Sequence, residues 1–128
     1  MSWAFKNDAP IYSQLMYQVK LKIASGAYGP GVKLPTVRAF AAETGVNPNT
    51  IQRALNELER DGLIQTQSTS GKFVTDNSAA IEKVRVEIAD ERISGFLEEM
   101  IGLGYSLEET VRMIKEYDSK EAEDSGNS

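Results

Sequence analysis

Asn47-Pro48 is a helix start that leaves the chain little choice. An Asn side chain accepts a hydrogen bond from a first-turn N–H. A proline at the first helical position has its φ preset and no N–H to lose. Beyond it, Ile51, Leu55 and Leu58 recur at spacings of four and three, one apolar stripe of a helix that Gly62 closes. Just upstream, Thr36 is placed to cap a shorter helix that turns Val37, Phe40 and Ala41 inward and stops at Gly45. Just downstream, Leu63, Ile64 and Thr66 predict one strand and Phe73 to Thr75 its return, joined by Ser68-Thr69-Ser70-Gly71. Such a hairpin is marginal alone and must lean on the helices. Two helices in tight succession and then a hairpin predict a winged helix-turn-helix, mainly α with a small β-wing.

The flanks complete the architecture. Residues 1–9 read as a flexible lead-in in which Trp3 and Phe5 are out of place unless they pack on something. From Pro10, the positions Ile11, Leu15, Met16, Val19 and Ile23 predict a helix that ends at Ser25-Gly26; Tyr12, in its first turn, reads as structural. Tyr28 to Gly31 is a turn, and Val32 to Leu34 a very short strand. Asp76 to Ala79 reads as a hinge into a helix from about residue 79 to 102. Ser106-Leu107-Glu108-Glu109 has the form of a capping box opening a last helix with Leu107, Val111 and Ile114 on its apolar side. The predicted organisation is a DNA-binding-type domain over 1–76, a short two-helix dimerisation hairpin over 77–120 and a polar, acidic, disordered tail over 121–128. Two helices of that size cannot bury both apolar faces alone, so a symmetric homodimer through the C-terminal helices is expected.

Charge divides at the same place. The chain carries a net charge of -5, yet residues 1–75 hold eight Lys/Arg against five Asp/Glu, while residues 76–128 hold six against fourteen. The first part can face phosphates; the second would be repelled by them. With no Cys and no His, a disulfide framework, a thiolate nucleophile and the usual zinc ligands are excluded. No nucleophile, base and pocket constellation is visible, so no catalytic residue, metal or cofactor is expected. No apolar run approaches membrane-spanning length, and a cytoplasmic location without a membrane partner is the expectation.

The helix at Pro48 carries small, uncharged hydrogen-bonding groups in its first turn, with a basic residue one turn on: the surface a protein needs to enter the major groove of double-stranded DNA. Asn49 and Gln52 can read base edges or phosphate oxygens, Thr50 and Thr36 can donate hydroxyls to phosphate, and Asn47 can cap or contact. Arg53 can contact DNA and set specificity at one position, or else pair with Glu57 at i+4. Lys72 on the wing and Lys33 before the first cap are candidate phosphate contacts.

The run from Pro10 to Tyr12, that from Ile23 to Arg38, that from Gly45 to Leu55 with Leu58 to Ile64, and Gly71-Lys72-Phe73-Val74 together resemble the GntR family of bacterial transcriptional regulators over residues 10–75. The short acidic helical tail resembles the YtrA-like subgroup. The resemblance implies a homodimeric repressor of a palindromic operator, often of an ABC-transporter operon, and gives Arg38 and Gly71 roles at DNA. The family's wing tip usually has the form Arg-Gly-x-Gly; here Ser68 and Thr69 stand where the Arg and first Gly would be. A small-molecule effector held near Trp3, Phe5, Phe96, Met100 and Tyr105 is a further expectation. The alternatives are a winged-helix protein–protein adaptor, or an activator without repressor activity.

Overall fold

The computed structural model describes residues 3–126. Seven regular elements follow one another: α1 (Ile11–Ala24), α2 (Val37–Thr44), α3 (Pro48–Arg60), β1 (Ile64–Gln67), β2 (Gly71–Val74), α4 (Ser78–Gly102) and α5 (Leu107–Gly126). The fold is mainly α with a small two-stranded wing. They form two compact units, one running through Ile88 and the other starting at Ala89, so α4 contributes to both.

In the first unit the helix boundaries follow from local chemistry. Thr36 Oγ1 accepts from Ala39 N at 3.0 Å and opens α2; Asn47 Oδ1 accepts from Asn49 N at 2.8 Å and opens α3, with Pro48 leading. At the end of α3, Leu63 N donates to Leu58 O and Gly62 N to Glu59 O, both at 3.0 Å. That paired closure needs a left-handed residue at its corner, and Gly62 supplies φ +82° without a Cβ to clash. The core lies where α1, α2, α3 and the wing meet: Leu15, Val19 and Ile23, then Phe40, then Ile51, Ala54, Leu55 and Leu58, with Leu63, Ile64 and Val74 beneath.

The wing pairs Ile64 with Val74 through Gln67 with Gly71, and a 3-10 turn, Ser68–Ser70, spans its tip. The predicted strand at Val32 to Leu34 is shorter than expected. It reduces to a bridge between Lys33 and Phe73, flanked by Leu34 N to Lys72 O and Val74 N to Val32 O at 2.9 Å each, so β2 is held along both edges.

Three features extend beyond the expected layout. The first unit does not end at residue 76: Asn77 Oδ1 caps α4 at Ala79 N, Ile81 and Val84 join the core, and Arg85 Nε donates to Ala24 O at 3.1 Å, docking the start of α4 on the end of α1. Nor does the lead-in hang loose over its described residues. Gln14 exchanges two 2.7 Å hydrogen bonds with the Lys6 backbone, Gln18 donates to Ala4 O at 2.7 Å, and Trp3 meets Phe40 edge-on at 6.0 Å beneath the Lys22 ammonium. Trp3 and Phe5 thus pack onto the first unit's core. Finally, α5 continues to Gly126, through most of the stretch expected to be disordered; residues 127–128 lie outside the described residues. Lys120, Glu121, Ala122 and Glu123 are good helix formers, and no Pro or Gly interrupts them.

In the second unit, Ser106 and Glu109 form the predicted capping box, each backbone N–H bonded to the other's side chain at 3.1 Å. Its apolar side chains remain largely uncovered. Ile93, Ile101, Leu103, Leu107 and Tyr117 each keep more than half of their surface exposed, and Phe96, Val111 and Ile114 are exposed as well.

Candidate nucleic-acid interface

With 3.6 residues per turn, α3 divides into two opposed faces. Ile51, Ala54, Leu55 and Leu58 are buried; Asn49, Gln52, Arg53, Asn56 and Arg60 form a continuous exposed stripe opposite them. Every side chain on that stripe is a neutral amide or a guanidinium, and none is acidic. The stripe gathers three of the predicted site residues and adds two that the sequence analysis missed, Asn56 and Arg60. Their signal was available: extending Asn49, Gln52 and Arg53 by steps of three and four reaches both. Gln52 Nε2 donates to Asn56 Oδ1 at 2.8 Å, so these two amides present themselves as a coupled pair.

The helix acids flank the stripe. Glu57 pairs with Arg60 at 3.2 Å and Glu59 with Lys72 at 3.2 Å. The alternative of an Arg53–Glu57 pair is therefore not the one adopted. Arg53 instead lies over the Tyr12 ring, its guanidinium carbon 4.0 Å from the centroid.

The other predicted residues fall into two groups. Asn47 and Thr36 are engaged through their side-chain oxygens as caps, Thr50 is half-buried within the first turn of α3, and Arg38 is exposed at the second position of α2. Lys33, Thr36, Gly71 and Lys72 line a shared cleft of about 200 Å³ between the start of α2 and the wing. Gly71 has φ +110°, a backbone conformation that disfavours any side chain at the tip end of the wing; the Lys33 Cε, 3.1 Å from where a Cβ would sit, belongs to a flexible exposed chain that can move aside. Lys33 is exposed. Lys72 Nζ bonds Glu59 Oε2 and Thr66 Oγ1, and 18% of its side chain is exposed. It braces the wing against α3.

Asn47→Ala is expected to lower stability by about 1 kcal/mol, whereas Asn47→Asp keeps the cap and leaves urea unfolding nearly unchanged. The Glu59 brace predicts a pH effect. Hydrogen bonding from Thr66 first, and from Lys72 second, holds the Glu59 carboxyl below its ordinary value of 4.5. A carboxyl depressed in the folded state stabilises it above the unfolded pKa, and that contribution disappears as pH falls through the folded value. Glu59→Gln should therefore flatten the loss of stability below about pH 4.5 in acid titrations followed by circular dichroism. The effect is expected to be small, because the carboxylate is 37% exposed and solvent screens it.

Among the described residues, no group of three or more His, Cys, Asp or Glu is placed to hold a metal ion, and no helix is long and apolar enough to cross a membrane.

Comparison with known proteins agrees with this geometry. The family model described as bacterial regulatory proteins, gntR family, matches residues 11–74. The uncharacterized HTH-type transcriptional regulator YhcF of Bacillus subtilis (strain 168) is 35% identical over 113 residues, 88% of this chain and 93% of that protein. The HTH-type transcriptional repressor YtrA of the same organism is 32% identical, over 87% of this chain and 86% of its own length. Among solved structures, a GntR family transcriptional regulator from Listeria monocytogenes superposes with a TM-score of 0.80 at 37% identity, covering 88% of this chain and 98% of that one. A winged helix-turn-helix with an acid-free exposed stripe along α3 and a family match from α1 to the end of the wing make this chain a DNA-binding transcriptional regulator of the GntR family.

Proposed function

We propose that the chain acts as a homodimeric repressor of the YtrA-like kind, cytoplasmic, closing a promoter by occupying a palindromic operator. The observation that carries the DNA-reading part is the acid-free stripe of amides and guanidinium groups along α3. Asn49, Gln52 and Arg53 take base edges; Thr50, Arg38 and Lys33 take phosphates; the helix N-termini at Thr36 and Asn47 add their amide dipoles. The uncovered apolar side chains of α4 and α5 support dimerisation, since a patch of that extent on a lone subunit marks an interaction surface. The YtrA-like assignment is supported by the short helical C-terminal element and by the likeness to the repressor YtrA. Control of an ABC-transporter operon, and an effector near Phe96, Met100 and Tyr105, extend the same proposal. The wing, whose tip lacks the family's usual Arg, contributes little to base reading.

Selection of bound duplexes from a random pool with the full-length protein tests this. The expected result is a two-fold symmetric consensus with half-sites about one helical turn, roughly 34 Å, apart, alongside a dimer in sedimentation. Asn47→Asp, which keeps its cap, should bind the selected duplex more weakly because it brings a carboxylate to the phosphates. A monomer without affinity for any duplex would favour the adaptor alternative instead, and transcription from a promoter carrying the selected site separates repression from activation.

A further inference from the structure

We propose that Tyr12 is a positioning residue for Arg53, holding the guanidinium on the reading stripe before DNA arrives. This rests on Arg53 being a contact residue, as proposed above. Tyr12 stands in the first turn of α1, the helix whose Leu15 and Val19 share the core with Ile51, Ala54 and Leu55 of α3. The packing brings the half-buried Tyr12 ring against the exposed side of α3, where Arg53 lies over it at 4.0 Å. The carboxylate best placed to draw Arg53 away, Glu57, is paired with Arg60.

A stacked guanidinium differs from an ion-paired one. Its face is occupied, yet all five N–H donors in its plane stay available for guanine or phosphate oxygens. An unsupported arginine must order a long, rotamer-rich side chain on binding, whereas a stacked one has already surrendered much of that freedom. The attraction between cation and ring is modest at an exposed site, about two- to five-fold in an equilibrium constant. Its value lies in where it leaves the donors.

The test uses the full-length protein and the duplex chosen by selection. Tyr12→Leu should bind that duplex about two- to five-fold more weakly and discriminate less well against a base change at the position Arg53 governs. Tyr12→Phe, which keeps the ring, should bind as the wild type does. In an Arg53→Ala background, Tyr12→Leu should change nothing. Without DNA, the Arg53 side-chain protons should show an upfield ring-current shift in wild type and Tyr12→Phe, and lose it in Tyr12→Leu. An equal Tyr12→Leu effect with and without Arg53, or loss of binding in Tyr12→Phe, would overturn the proposal. So would unshifted Arg53 protons in the wild type, a measurement that stands even if Tyr12→Leu does not fold. Wild type that binds no duplex would sink the functional proposal instead, which separates the two failures.

Discussion

Arg53→Ala is expected to weaken binding to the selected duplex by about 1–3 kcal/mol, with nearly all of the loss in specificity. The side chain is exposed and pairs with no carboxylate among the described residues, so removing it should cost little stability beyond the Tyr12 stack, about 1 kcal/mol at most. A base-reading arginine and a phosphate-binding one lose different things. If Arg53 forks onto a guanine, affinity for the selected duplex falls while affinity for random duplex hardly moves, and tolerance widens at one base pair. If it rests on phosphate, both affinities fall together and the salt slope shrinks by about one. Titration calorimetry against cognate and random duplexes at two salt concentrations distinguishes these. Arg53→Lys sharpens the comparison, since it keeps the charge and loses the fork. An alanine variant indistinguishable from wild type on every duplex would remove Arg53 from the interface.

Phe40→Ala should produce the largest loss of stability, about 3–5 kcal/mol. Its side chain is fully buried, and it is the residue of α2 that is buried among the described residues. An eight-residue helix has no stability of its own in water and persists only through what it docks. Deleting this ring leaves a cavity and also removes the partner of Trp3. Because domains of this size are stable by only about 5–15 kcal/mol, the variant should unfold well below the wild type in a calorimetric scan. Arg38, carried by α2, would lose its support even before global unfolding, so duplex affinity should decline in parallel. A loss below about 1 kcal/mol would mean that α2 is held chiefly by its caps, which contribute about that much.

The boundaries of α2 and α3 and the two faces of α3 were legible because they depend on near neighbours: Thr36 on Ala39, Asn47 on Asn49, Gly62 on the carbonyls just before it. The unread features depend on residues far apart in the chain. Arg85 bonds a carbonyl 61 positions away, and Lys72 reaches back 13 to Glu59, so neither the inclusion of early α4 in the first unit nor the bracing of the wing has a local signal. The Tyr12–Arg53 stack belongs to the same class. Asn56 and Arg60 are different. Their helical phase is legible, since they continue the stripe of Asn49, Gln52 and Arg53 beyond the first turn of α3. Along the end of α5 two sequence signals compete, acidity favouring disorder and helix propensity favouring the helix.

Trp3 is the chain's lone indole, and it sits between the Phe40 ring and the Lys22 ammonium, 4.5 Å from its centroid. The tyrosines beyond Ala89, Tyr105 and Tyr117, contribute no emission when excitation is confined to the red edge of the absorption band. The molecule thus carries its own fluorophore for one half: melting of the N-terminal unit can be followed by intensity and wavelength without labelling. The same optical channel stays silent to any separate loosening of the helices beyond Ala89.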